Sequence, residues 1–245
     1  MSLENDIQGH WIRDWIKAPS FEDHTTRVHW AQVGLDYADV RIPRDRPDLS
    51  NVSALDALSA DDLIKLAQAE GFAGHVTLRG DQCTWHREIN LHGTPDAPDV
   101  GEISFDAEGR MVETGVHAEY TELWERRLGS DPKAIRFSSV MYAGLLVTIG
   151  EMSVIGIGRR NKPSTKPLIE ALRTGRVPDG IGVLFDGLHA VGRQSGGSVV
   201  ADLATQPFAE GCPILSVMDS HIVWHRVGFD GTRSDIVLEI ETLTI

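Results

Sequence analysis

The chain has 245 residues, 41% of them hydrophobic, and a formal charge of −13 from 36 acidic and 23 basic side chains. That length and apolar content suit one large or two small packed domains and exclude a disordered chain. The acidic balance argues against nucleic-acid backbones and anionic membrane surfaces as partners.

Cys83 and Cys212 are the two cysteines, and they form neither a disulfide framework nor a CxxC motif, as expected in a reducing compartment. The first thirty residues carry no signal-peptide pattern. No apolar run approaches the roughly 20 residues of a spanning helix. The expectation is a soluble, cytoplasmic protein.

Residues 9–17 alternate, with Trp11, Arg13 and Trp15 on one face and Ile12, Asp14 and Ile16 on the other; they read as a strand, with helix competing because Trp11 and Trp15 are four apart. Residues 25–33 and 37–42 read as a strand pair joined at Gly34, the second presenting Tyr37, Asp39 and Arg41 on one face. Residues 43–58 form a loop. Ser59 then caps a short helix carrying Leu63, Leu66 and Ala67 at helical spacing. Strands follow at 73–79, 82–91 (with Trp85, Arg87, Ile89 and Leu91 on one face), 100–106, 111–117 and 120–126. Hairpin signals stand at Gly80-Asp81 and Glu108-Gly109, and a looser loop spans 92–99. Residues 128–133 are the expected boundary between halves.

The second half repeats the order: a strand pair at 145–149 and 152–157, a short helix at 167–174, then strands at 182–185, 189–193, 198–204, 214–218, 222–227 and 236–243. Asp230-Gly231 marks the last hairpin. Many short strands with turn residues every 8–12 positions predict an all-β fold with minor helices, its sheets curled into barrels or sandwiches. The expected units are residues 1–130 and 134–245.

Gly9-x-Trp11 resembles the Gly-x-Trp opening of lipocalins and other calycin barrels. The segments 120–125 (YTELWE), 144–150 (GLLVTIG), 168–172 (LIEAL) and 223–226 (VWHR) resemble, in order and spacing, the fungal Hri family of two calycin-like barrels without an assigned biochemical activity. The similarity is clearest over residues 118–227. It implies two lipocalin-like antiparallel barrels and carries over no catalytic residue.

The most specific local pattern is aromatic and charged residues at alternate positions. It occurs as Trp11-x-Arg13-x-Trp15 and Tyr120-x-Glu122-x-Trp124, with partial forms Trp85-x-Arg87 and Tyr37-x-Asp39-x-Arg41. If these faces point into the first barrel, three arginines and two acids share one interior, each needing a partner. Such a lining describes a small-ligand pocket. A salt-bridge plug and an external face are the alternatives. The expected ligand is a small apolar or carboxylate-bearing compound, three arginines against two acids tilting it toward a carboxylate or other anion. The second barrel, mostly aliphatic, reads as structural.

Tyr37, Arg41, Arg87 and Glu122 also match by residue type the interior set of lyase- or isomerase-type barrels, which gives an enzymatic alternative. A non-catalytic protein-interaction module is a third reading. Trp-His-Arg occurs at 85–87 and again at 224–226, as equivalent positions of the two halves; its histidines, His86 and His225, read as solvated or paired across strands. His221 and His225 stand too far apart along a strand to share a metal. No metal or cofactor motif is present. Residues 155–160 (IGIGRR) lack the third glycine of a dinucleotide loop. Ser195-Gly196-Gly197 reads as a hairpin tip.

Overall fold

The computed structural model describes residues 2–93, 95 and 97–245. Thr94 and Asp96, in the predicted 92–99 loop, lie outside the described residues. β1 (Gly9–Ala18), β2 (Phe21–Asp23), β3 (Arg27–Val33), β4 (Asp36–Ile42), β5 (Glu70–Arg79), β6 (Gln82–Asn90), β7 (Asp99–Phe105), β8 (Met111–Gly115) and β9 (Thr121–Arg127) form one antiparallel sheet. β9 returns to pair with β1, closing a ring of eight strands with β2 hairpinned outside it. β10 (Lys133–Ser138), β11 (Tyr142–Ile149), β12 (Met152–Arg159), β13 (Gly187–Ser195), β14 (Ser198–Ala204), β15 (Pro213–Val217), β16 (His221–Val227) and β17 (Arg233–Thr244) close a second ring of eight. The fold is therefore mostly β, with two closed eight-stranded antiparallel barrels.

The three helices are short: α1 (Leu3–Asp6), α2 (Ala60–Leu66) and α3 (Lys166–Arg173). Ser59 caps α2 as its sequence predicts, accepting from the Asp62 amide at 3.1 Å. α3 has Pro167 in its first turn and gives way to Gly175 at φ 76°. α2 follows the third strand of its ring and α3 the third strand of its own, so each barrel reads three strands, helix, five strands.

Two expectations need correction. Residues 182–185 are not a strand: Ile181–Val183 is a 3₁₀ turn entered from Gly180 at φ 74°. Its Ile181 and Leu184 pack with Leu63 and Leu66 of α2 and Leu172 of α3, so the apolar run serves a helical cluster and not a sheet. The repeated Trp-His-Arg string is also not an equivalent position. β6 is the fifth strand of its ring and β16 the seventh of the other.

Each barrel has its own interior, and a third apolar body joins them. Trp11, Trp30, Tyr37, Phe72, Trp85, Met111 and Trp124 fill the first barrel. Ile135, Leu146, Ile155, Leu188, Leu215 and Trp224 are among the side chains filling the second. Between them, Ala31, Val40 and Ile89 meet Leu145, Val154 and Val191. This joint is mainly aliphatic, and its burial, at roughly 25 cal/mol per Å², helps hold the barrels together, as does Arg136, which reaches across to Asp36 and Glu88.

Candidate functional site

Register decides which predicted residues reach the first interior, and two bulges rearrange it. Trp11 pairs with Arg126 and Arg13 with Trp124, but Trp15 pairs with Leu123, because Asp14 is inserted. The insertion moves Trp15 off the face of Trp11 and Arg13 and hands its place to Ile16, opposite Glu122. Trp15 is half-buried, with the Lys17 ammonium 5.1 Å from its ring.

The second bulge inserts Glu88. Arg87 pairs with Gly74, and Ile89 pairs with Ala73. A Cβ on Gly74 would stand 2.0 Å from the His86 carbonyl oxygen, so glycine is what allows the close approach. The insertion keeps Trp85 and Arg87 on the inner face and sends Ile89 and Leu91 into the joint between barrels. The expected single face of Trp85, Arg87, Ile89 and Leu91 is thus divided between two cores.

Inside, the charges form one connected group. Arg13 donates to Glu122 at 2.6 Å, and Arg41 reaches the same Glu122 oxygen at 3.5 Å. Arg41 also donates to Asp39 at 3.1 Å, and Arg13 lies 3.5 Å from Asp23. Arg87 donates to Asp99 at 2.6 and 3.1 Å, with its guanidinium carbon 3.7 Å from the centre of the Phe72 ring. The Arg41 guanidinium lies 4.9 Å from the same ring, so one aromatic ring serves two cations. Tyr120 stands at the rim and donates to Glu113 at 2.7 Å.

Asp99, Glu113, Phe72 and Trp30 were not singled out by sequence. With the first two, four carboxyls (Asp39, Asp99, Glu113, Glu122) face three guanidiniums (Arg13, Arg41, Arg87). The sequence-based excess of positive charge is therefore reversed. Burial pushes Asp39 up to about 6 despite Arg41 beside it. Burial, and then the Glu122 charge, push Glu113 well above the usual carboxylate range. The phenols of Tyr37 and Tyr120 are raised too, by burial first.

Among the described residues, four buried polar atoms of this interior have no hydrogen-bond partner: Tyr37 Oη, Trp30 Nε1, Trp124 Nε1 and Glu122 Oε2. Three are donors and one is an acceptor. By contrast Trp11 Nε1 donates to the Ile7 carbonyl at 2.8 Å. Two surface clefts, of about 470 and 250 Å³, meet at Arg87; Trp85 floors the larger and Phe72 the smaller.

The second barrel gathers its polar groups at one carboxylate. Tyr142, Arg159 and Arg226 reach Asp186 at 3.1 Å, and Lys162 donates to the carbonyls of Leu184 and Asp186 at 3.2 and 3.4 Å. The histidines pair across strands as expected. His86 stacks on His75 and bonds Thr77 at 3.0 Å; His225 bonds Asp235 at 2.8 Å and Ser216 at 2.9 Å. Among the described residues no three His, Cys, Asp or Glu side chains group as metal ligands. Residues 155–159 lie within β12, and Gly196-Gly197 form a hairpin tip at φ 56° and 81°. No helix is long and apolar enough to cross a membrane.

No protein-family model and no curated protein matches the chain. Among solved structures, the chain is similar to the uncharacterized protein YLR301w from Saccharomyces cerevisiae, with a TM-score of 0.56 and 11% identity, over 96% of this chain and 98% of that one. At that identity the likeness shows the fold, a two-barrel architecture shared end to end.

Proposed function

We propose that the first barrel binds a small, polar, largely neutral molecule among Trp30, Tyr37, Glu122 and Trp124. The observation that carries this reading is the set of four partnerless buried polar atoms in one interior. Each such group costs about 1–3 kcal/mol when left unsatisfied. Grouped atoms of both donor and acceptor type are what a bound hydrogen-bonding molecule would satisfy. The acid-to-arginine balance argues against the anionic ligand that sequence favoured, because each arginine already has a carboxylate. Entry would be from the clefts meeting at Arg87, past Phe72 or Trp85.

The test is native mass spectrometry of protein purified without denaturant, as wild type and as Tyr37→Phe. A reproducible adduct of defined mass, weakened in the variant, supports the reading. A bare polypeptide mass, with ordered waters on these atoms in a high-resolution crystal structure, overturns it and leaves a hydrated salt-bridge plug.

A further inference from the structure

The outer face of the first barrel holds a different kind of cleft. It is about 370 Å³, floored by Ile12 and His29, and walled by Arg27, Arg44 and Arg127. Its carboxylates, Asp14 and Glu125, pair with neither Arg27 nor Arg44. Glu125 is taken by Arg127 at 3.1 Å, and Asp14 lies in the field of Arg110. Glu210, whose charge also reaches Arg27, is held by Arg46 at 2.7 Å.

Among the described residues neither Arg27 nor Arg44 has an ion-pair or hydrogen-bond partner for its side chain. Both are exposed residues lining the same cleft, and the Arg27 guanidinium is lowered by burial first and then by the Arg46 charge, with Arg44 adding to it. The histidines beneath give no counter-charge. His10 Nε2 and His29 Nδ1 share a hydrogen bond at 3.0 Å, and His10 Nδ1 is buried without a partner. Burial holds both rings neutral, His10 down to about 4 and His29 to about 3.

We propose that this cleft is an oxyanion site, in which Arg27 and Arg44 hold a phosphate-like group over His29. Two guanidinium forks without a carboxylate match the several oxygens of a phosphoryl group, which accepts paired N–H bonds from each. The site lies outside the barrel and does not depend on the ligand proposed for its interior. An anion there adds a counter-charge shared by both arginines, beyond the screening that water and salt already provide.

The experiment is an amide and arginine side-chain NMR titration with inorganic phosphate, at ionic strength held constant with sodium chloride. The expected result is a saturable shift centred on Thr26, Arg27 and Arg44. Its affinity should fall at least tenfold in the Arg27→Gln/Arg44→Gln double variant, whose amide spectrum elsewhere is unchanged. A small phosphomonoester run in parallel distinguishes the source. Tighter binding than phosphate marks the anchor of a larger phosphorylated molecule, and weaker binding marks a free-anion site. No saturable shift beyond that of chloride, or one that persists in the double variant, overturns the proposal.

Discussion

Glu113 and Glu122 stand directly opposite each other on β8 and β9 inside the first barrel. Glu122 takes Arg13 and Arg41, while Glu113 takes the Tyr120 hydroxyl. Two buried carboxyls on facing positions divide their roles by partner: one is the anion of an ion-pair group, the other is held toward its neutral form. The expected consequence is asymmetric. Glu122→Gln strips two buried arginines of their shared carboxylate and should cost about 3–5 kcal/mol. Glu113→Gln removes a charge that burial already opposes and should change stability by less than about 1 kcal/mol at pH 7. Urea unfolding of the two variants decides it, and equal losses would refute the division.

Arg87 binds Asp99 and lies over Phe72, but about a fifth of its side chain is exposed. Solvent screens that pair, so Arg87→Ala should cost about 1–3 kcal/mol, less than a sealed ion pair would. Asp99→Ala in the same background should add less than its own single effect, because the partner is already gone. A double-mutant cycle measures this directly, and additive losses would show that the two residues act separately.

Much of the architecture was legible because alternation and turn chemistry are local. The strands at 9–17, 37–42, 82–91 and 152–157 were read within a few residues, and so was the cap at Ser59. The bulges at Asp14 and Glu88 were not legible. Nothing in W-I-R-D-W or H-R-E-I marks an inserted residue; what permits the second is Gly74, on the neighbouring strand. Trp15, Ile89 and Leu91 were misplaced for that reason alone. Glu113 belongs to no aromatic-charged alternation in the sequence; its burial depends on ring closure through β9. Asp99 was taken as the end of a loop, and its role appears only once Arg87 lies opposite the start of β7.

Gly74 should therefore be among the least replaceable residues. Gly74→Ala places a methyl against the His86 carbonyl, which is backbone and cannot swing away. The bulge must open or the strand must slip, and a slip exchanges Arg87 for His86 or Glu88 on the inner face. The expected loss exceeds about 3 kcal/mol, in the range of backbone strain and core disruption combined. Gly80→Ala, at a hairpin tip with open space around it but φ of 64°, should cost only about 1 kcal/mol. Thermal and urea unfolding of the pair gives the ratio; similar losses would mean that the bulge is not constrained by Gly74.

His189 is fully buried at the joint between the barrels, with its ring filling the space that side chains at Gly71 and Gly156 would need. Neither ring nitrogen has a side-chain partner or a well-formed hydrogen bond. Burial lowers its pKa to about 3, and the nearby Lys162 charge adds to the effect. The folded value lies below the unfolded one of about 6.5, so folding favours the neutral ring. Its contribution to stability is full above pH 6.5 and is lost as pH falls toward 3, at about 1.4 kcal/mol per pH unit for the one proton. His10 and His29 act in the same direction, over windows reaching down to about 4 and 3. Asp39 opposes them: raised to about 6, it favours folding most below pH 3.8 and loses that contribution as pH rises through 6. Replacing His189 with asparagine leaves a cavity and lowers stability at every pH, so the diagnostic is the slope. Between pH 6 and pH 4 the stability of His189→Asn should fall less steeply than wild type by about 1.4 kcal/mol per pH unit. Parallel curves for His189→Asn and wild type would show that this ring does not take up a proton on unfolding, and the acid sensitivity of the joint would then rest on other groups.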